Sequence, residues 1–498
     1  MSSLLEECTV SLPHVLVIGF AGDGILTDSI SCRSRIVEFL TDRRSQAGRA
    51  ICGVTTLDPA GQPIFAESCI ELEIPLRLIV PLSRERFLQE CNPANKTLFA
   101  TILDRAVSTE VTGSNATLTE GNYECSLQVV QQCQELLAIW DGEPDHGLAS
   151  TAKIVEFADE MRRPVTWIHS TTSLLQPIHH HTGDRTSEEE LKFLNELPNL
   201  QVSGDTPTST ALAAAWLAKL DANAAHVAPE VRKLAAVPLI CTALAAFVTA
   251  TAQGRKLSAI WIAAGAVLGL TASFLPRVLS LGPRQALWVR IRTAAEVSRS
   301  VVALWATPTH YEIVGPEILP ELSSMVRSLN LLKSQAHQST EITLDEFKER
   351  YVKDRLLDQM KYFAHQAAKA KVSGKRYSLV GKVCSLSAIA ISTGLVISHS
   401  LMSSSQAATS GKSWMGLVTA ALFQLATIAG ALFVVKDCGR RQRRYLELHH
   451  ALADWEAELR VFRTWPPIIE VVSKIERALL VELLEWRSLL QNTKLPGS

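Results

Sequence analysis

Apolar positions change their period along this 498-residue chain. From His14 to about Ser203, short apolar runs alternate with segments of helical period, the pattern of a parallel sheet with crossover helices. HVLVIGF, beginning at His14, is the first predicted strand and AGDG its exit. LRLIVPL from Leu76, ELLAIWDG from Glu135 and RPVTWIH from Arg163 are three more. Beyond about residue 206 the alternation gives way to long uncharged stretches.

Four of those stretches predict membrane crossings. Residues 235–252 read AAVPLICTALAAFVTATA and 257–275 read LSAIWIAAGAVLGLTASFL, joined by a reversal too short for any other element. Residues 377–402 are apolar except for Lys382, and 414–435 except for Gln424, with the loop SSSQAATSGKS between them. The expected architecture is two antiparallel hairpins. Arg232 and Lys233 precede the first crossing, and Arg277, Arg284, Arg290 and Arg292 follow the second. Lys371, Lys375 and Arg376 precede the third, and Lys436, Arg440, Arg441, Arg443 and Arg444 follow the fourth, whereas the hairpin loops carry only Arg255, Lys256 and Lys412. This bias predicts both termini and the central segment in the cytosol, in agreement with an N-terminus, MSSLLEECTV, that lacks a secretion signal. The competing reading is a set of buried core helices. Gly265, Gly269, Gly416 and Gly430 suit close helix packing in lipid and a homo-oligomer. Lys382 lies near a boundary and can snorkel; Gln424, near mid-segment, is the candidate pore-lining residue.

The chain also repeats itself. RQALWVRIRTAAEVSRSVVALWATP from Arg284 aligns through most of its length with RQRRYLELHHALADWEAELRVFRTWPP from Arg441, which predicts a duplicated unit of hairpin plus basic amphipathic helix. Phe347, Tyr351, Leu356, Met360 and Phe363 stand at roughly helical spacing before the second hairpin, and IIEVVSKIERALLVELLEWRSLL closes the chain as another amphipathic helix. The expected division is a domain over 1–205, a first hairpin with its helix over 206–310, a linker and amphipathic helix over 311–376, and a second hairpin with closing helices over 377–498.

A formal net charge of −1 argues against a polyanion-holding protein, so no nucleic-acid partner is expected. Ten cysteines occur without a C-x-x-C pair, the usage of buried thiols in a reducing compartment rather than of zinc or disulfides. In open α/β sheets ligands bind at the carboxyl ends of strands, so the loops after Phe20, Val80, Trp140 and Ile168 form the candidate site. Gly19, Ala21, Gly22 and Gly24 allow close backbone approach to a ligand, and Pro81 ends the second loop's strand. In DGEPDHGLASTAKIVEFA, Trp140, Asp141 and Gly142 lead into a turn at Gly147, and Ser150 and Thr151 open a helix whose N-terminal end suits phosphate. Asp23, Glu67 and Asp141 are candidates for ribose hydroxyls or acid–base work. His179, His180 and His181 read as a solvated loop, with no metal assigned.

These residues resemble two known families. IGFAGDG, FAESCIELEIPLRLIVPLSRERFLQE and LLAIWDGEPDHGLASTAKIVEFADEMRRPVTWI resemble a SLOG domain, a Rossmann-like nucleotide-binding α/β fold. WVRIRTAAE, YVKDRLLDQMKYFAHQAAKAK and ERALLVELLEWRSLL resemble the SLATT membrane effector, an all-α domain with transmembrane helices. The resemblance implies a bacterial antiphage module. In it the first domain binds a nucleotide-derived signal, such as a cyclic nucleotide, NAD or an ADP-ribose derivative, made by an enzyme encoded nearby, and the second opens or perforates the inner membrane. The chain departs from the SLOG pattern at Ala149-Ser150-Thr151, where family members usually carry Gly-Gly-Thr, and at Gly22-Asp23-Gly24, where they carry Gly-His-Arg. That departure implies either a narrower phosphate site or a different ligand, and it weakens the claim of hydrolysis. The alternative function is a membrane-anchored enzyme that cleaves a nucleotide or NAD derivative at its glycosidic bond through Glu67 or Asp141.

Overall fold

The computed structural model describes residues 10–22, 28–45, 49–59, 62–112, 117–143, 147, 150–179, 185–200, 208–254, 259–278, 281–307, 319–337, 342–401, 409–435 and 437–492. The chain divides into two units, one formed by Met1–Leu220 with Val297–Ile342, the other by Asp221–Glu296 with Thr343–Ser498.

The first unit is an α/β sheet. Its elements run β1 (His14–Gly22), α1 (Ser29–Ser45), β2 (Arg49–Thr55), α2 (Ile64–Glu71), β3 (Leu76–Val80), α3 (Arg84–Glu90), α4 (Lys96–Arg105) and β4 (Ser108–Val111). There follow α5 (Leu118–Gln132), β5 (Glu135–Trp140), α6 (Thr151–Glu160), β6 (Val165–His169), β7 (Leu175–His179) and α7 (Arg185–Asn195). The strand order is β4-β3-β2-β1-β5-β6-β7, parallel except for the last pair. Four strands were legible as apolar runs. β2 was not, because Arg49 and Gly53 interrupt it; β4 is a polar edge strand, and β7 carries Pro177, which only an edge tolerates.

Strand alternation sends side chains to two separate cores. Ile18, Leu137 and Ile139 pack with Ile36 and Phe39 of α1, Phe65 of α2 and Phe99 of α4. Val15, Val17, Leu136, Ala138 and Trp140 face the other way, against Val129 of α5 and Ile154 of α6. Gly19 sits where β1 meets the end of α5: a Cβ there would lie 2.8 Å from both Cβ and Sγ of Cys133.

Within 310–345, to which the sequence assigns no role, the described residues 319–337 contribute to this second face. α11 (Ser323–His337) follows a short 3₁₀ turn, Pro320–Leu322. Its Leu331 joins the core beneath β1, and Ser328 Oγ bonds Pro13 O at 2.6 Å. Two lysines are buried in this unit. Lys219 Nζ donates to the carbonyls of Val10 and Asn195 at 2.9 and 2.8 Å. Lys333 Nζ donates to Thr307 Oγ1 at 2.7 Å, and burial, with the Arg77 charge nearby, pulls its pKa down to about 7.

The second unit is helical. α8 (Ser209–Gly254), α9 (Ala259–Val278) and α10 (Leu281–Ala303) form the first succession, and the unit boundary falls within α8 and α10. α12 (Leu344–Tyr351), a π turn at Val352–Leu356, α13 (Leu357–Leu401), α14 (Thr409–Val435), α15 (Cys438–Val461) and α16 (Trp465–Asn492) form the second. α10 and α15, the repeated sequences, each follow a pair of long helices. α14 begins inside the expected Ser-rich loop. A Cβ on Gly265 would fall on Thr249 Oγ1 and one on Gly269 would touch Ala245, so both glycines sit at a helix contact; Gly416 and Gly430 have nothing within 4 Å.

Among the described residues one helix, Leu344–Ile397, is long and apolar enough to cross a membrane. Leu379, Val383, Leu386, Ile389 and Val396 of α13 are exposed. Below that stretch the helix is anchored by charge. Arg355 Nη2 lies 2.7 Å from Glu476 Oε2, its Nε 3.0 Å from Oε1, and the Tyr351 hydroxyl donates to the same oxygen at 2.8 Å. Phe347, Tyr351, Leu356 and Phe363 are all buried, and the step of five between Tyr351 and Leu356 coincides with the π turn that keeps them on one face.

Two outcomes are expected. In the unfolded chain Lys333 titrates near 10.5, so from about pH 7 to 10.5 the unfolded state holds a proton that the folded state lacks, and stability rises with pH. The melting temperature of the first unit should therefore climb between pH 7 and pH 9, and Lys333→Met should flatten that slope. Arg355→Met leaves Glu476 buried without its cation and should cost about 3–5 kcal/mol in a denaturant melt, most of it restored by adding Glu476→Leu.

Candidate functional site

The chain runs outward from β1 through β2 and β3 to β4, then returns across β1 to lay down β5 on its other side. β1 and β5 thus lead their following helices to opposite faces, and a crevice opens between their carboxyl ends. A cavity of about 90 Å³ occupies that position. Phe20, Ala21 and Gly22 of β1 and Ile139 of β5 form its floor, Thr151 and Ile154 of α6 one wall, and Ile64 and Phe65 of α2 the other. The Phe20 and Phe65 rings stack at 4.9 Å. Its volume is below the ~150 Å³ of an engineered cavity that admits benzene, so a nucleotide-sized ligand would lie largely outside it.

Of the residues expected to bind ligand, Ala21, Gly22 and Thr151 line this cavity. Ser150, buried, is the N-cap residue of α6, and its carbonyl accepts from the Ile154 N–H at 3.3 Å. Trp140 and Asp141 stand where β5 ends. The Trp140 carbonyl accepts from Trp167 Nε1 at 3.0 Å, the two indole rings lie 4.9 Å apart, and the Asp141 carboxylate accepts from the Glu143 N–H at 3.0 Å. Gly142 has φ +90, a conformation only glycine adopts readily, and a Cβ there would sit 3.1 Å from the Trp167 ring. Gly147 is exposed in the same connection. Asp23 and Gly24 lie outside the described residues.

Other expected residues stand elsewhere. Gly19 faces α5 rather than the cavity. Pro81 is buried after β3 and does not line the cavity, and Glu67 lies on α2 with its carboxylate 3.9 Å from Arg33. Gln424 is half-buried on α14. His179 ends β7 with Nδ1 3.1 Å from Asp159, while His180 and His181 lie outside the described residues.

The structure adds a loop that the sequence did not single out. The connection from β2 to α2 brings Thr55, Thr56, Asp58 and Gln62 to the cavity, and Ser126 of α5 joins them. Its sequence, TTLDPAGQP, signals a turn and nothing more. Burial pushes the Cys125 thiol, next to Ser126, up to about 11 against hydrogen bonds from Thr112 and Thr56 that lower it, so it is a packed thiol rather than a thiolate. Hydrogen bonds from Ser31 hold the Asp28 carboxyl, ahead of α1, below its usual range.

Comparison with protein-family models, with curated proteins and with solved structures finds no match to the chain. What the site can do follows from the groups among its described lining residues: neutral hydrogen-bonding side chains, the Asp58 carboxylate and a helix N-terminus around an apolar floor.

Gly142→Ala should destabilise the first unit by about 1–2 kcal/mol through its left-handed backbone and its approach to Trp167. Thermal melts would measure the loss, and near-UV circular dichroism should report a weakened Trp140–Trp167 couplet.

Proposed function

We propose that this chain is a ligand-gated membrane effector: a nucleotide-derived molecule binds the cavity at the end of β1 and β5, and the long apolar helices respond by opening the bilayer. The observation that carries the reading is the cavity at the reversal of strand order, bounded by the N-terminal end of α6. Such a position concentrates backbone N–H groups and a favourable dipole on a ligand.

The membrane half of the proposal is supported by the exposed apolar length of α13 and by the uncharged sequences of 235–252, 257–275 and 414–435. On this reading there are four crossings in two hairpins, both termini are cytosolic, and Gln424 faces the lumen of a homo-oligomer in the inner membrane. The resemblance to SLOG and SLATT sequences supports a role in antiphage defence, with the signal made by a separate enzyme. Binding opens the membrane only if the ligand has different affinity for the closed and open states.

Gln62 is exposed at the mouth of the cavity, so Gln62→Trp should block entry while leaving the fold intact. Cells expressing the intact protein are expected to lose membrane potential on phage challenge, and cells with equal amounts of the variant to keep it. A potential that never falls although the protein sits in the membrane removes the effector reading. For topology, a reporter active only outside the cytosol should be active at residues 256 and 408 and silent at 345; activity at 345 overturns the two-hairpin arrangement.

A further inference from the structure

α13 presents two different sides. Gly374, Gly381 and Ala388, spaced by seven residues, lie on the side that packs within the second unit. A Cβ on Gly374 would meet Cys438 and Phe433, one on Gly381 would meet Ala429, and Ala388 is buried. Lys371, Lys375, Lys382, Leu386, Ile389 and Val396 follow one another at steps of three, four or seven residues, so they form one stripe along another side of the helix. All six are exposed. The stripe is basic at its start and apolar beyond Lys382.

After Asp358 the rest of α13 contains no aspartate or glutamate, and α14 contains none. At the turn between α14 and α15, Asp437 is followed by Arg440, Arg441 and Arg443, all three exposed. The approach of Gly374 to Cys438 sets this turn level with Lys371 and Lys375, so cations from two helices gather at one depth. Lys382 stands eight residues beyond Gly374, about 12 Å further along the helix and among the exposed apolar residues. Side chains of a helix lean toward its N-terminus, which turns Lys382 back toward Lys375. The two ammonium groups thus converge at the foot of the apolar stripe.

A partner that satisfies both halves of the stripe carries negative charge at one end and hydrocarbon at the other. A second copy meeting it face to face would set lysine against lysine. An acidic soluble peptide would leave Leu386, Ile389 and Val396 uncovered. We infer that this stripe is a binding site for an anionic phospholipid. The headgroup phosphate lies between Lys375 and Lys382 with Lys371 at the rim, and the acyl chains run along Leu386, Ile389 and Val396. This rests on the proposed membrane placement of α13 and goes beyond it. Placement asks only that the cations stay on the cytosolic side, whereas a headgroup site makes the protein select among lipids.

The test is titration of the full-length protein in detergent with dansyl-labelled phosphatidylglycerol or phosphatidylcholine of equal chain length. A lysine at an anionic headgroup is worth roughly fivefold in affinity, so phosphatidylglycerol should bind at least about tenfold more tightly than phosphatidylcholine. Lys375→Gln with Lys382→Gln should remove most of that preference, and Lys375→Arg with Lys382→Arg should keep it. Lys369→Gln with Arg376→Gln takes the same charge from a different side of α13 and should also leave the preference in place. All four positions are exposed, so the variants should fold, as a thermal melt would check. Equal binding of the two lipids, or equal loss in both glutamine pairs, overturns the site and leaves the membrane placement standing. Displacement of the lipid by inorganic phosphate at constant ionic strength shows a phosphate site without a lipid requirement and overturns it too. If the protein stays dispersed without detergent and does not float with lipid vesicles, the membrane placement fails and the lipid site with it.

Discussion

Everything in the first unit depends on burying a mostly parallel sheet on both faces at once. A parallel strand cannot return through a hairpin, so each must hand the chain to a crossover, and each crossover must cover apolar surface that water would otherwise meet. β1 is the strand on which this constraint falls hardest. It pairs with β2 on one side and β5 on the other, its odd and even positions enter different cores, and its Gly19 is held to the end of α5 with no room for a side chain. The reversal of strand order at its carboxyl end then leaves the helices that follow β1 and β5 on opposite faces, and the cavity opens at that end between α6 and α2. The candidate site is in that sense a by-product of how the sheet closes its cores, and its chemistry comes from the few residues that the converging loops supply.

The second unit solves a different problem. Long helices with an apolar exterior have little to hold them in register, because dispersion between Ala, Gly and Leu surfaces is not directional. Direction comes from polar contacts away from the exposed stretch. Glu476 on α16 receives Arg355 and Tyr351, and the π turn lets Arg355 and Leu356 share a buried face with Tyr351. Aromatic contacts continue the same seam, from Phe347 against Trp465 to Phe363 against Tyr445. A buried ion pair of this kind adds little net stability over apolar packing, yet it specifies which helix faces which. That specificity suits a helix whose later portion is mostly apolar.

How much of this was legible varies with the kind of signal. β1, β3, β5 and β6 were plain in the sequence because strands buried on both faces read as unbroken apolar runs. β4 and β7 lie at the edges, where burial no longer selects apolar residues, and the polar STEV and the proline of LQPIH conceal them. Thr151 and Ala21, which line the cavity, stood out in the sequence because a helix start and a strand exit carry recognisable residue types. Asp58 and Gln62 were not, since TTLDPAGQP serves equally for any turn. Gly19 was legible as special, and the structure places Cys133 where its side chain would be; sequence cannot tell a glycine that admits a ligand from one that admits a neighbouring helix.

By itself the sequence determined the alternation of strand and helix, the position and length of the uncharged stretches, and the repeat. Each is a local property, set by hydrophobic period or by composition within a few residues. Only the tertiary structure decided that α11 covers β1, that a π turn aligns Arg355 with Glu476, and that the connection after β2 meets α6 at one cavity. Periodicity records that one side of an element is withdrawn from water. It carries no record of what lies against that side, because any apolar partner of similar shape satisfies it, and the choice among partners is made only when all the faces are buried together.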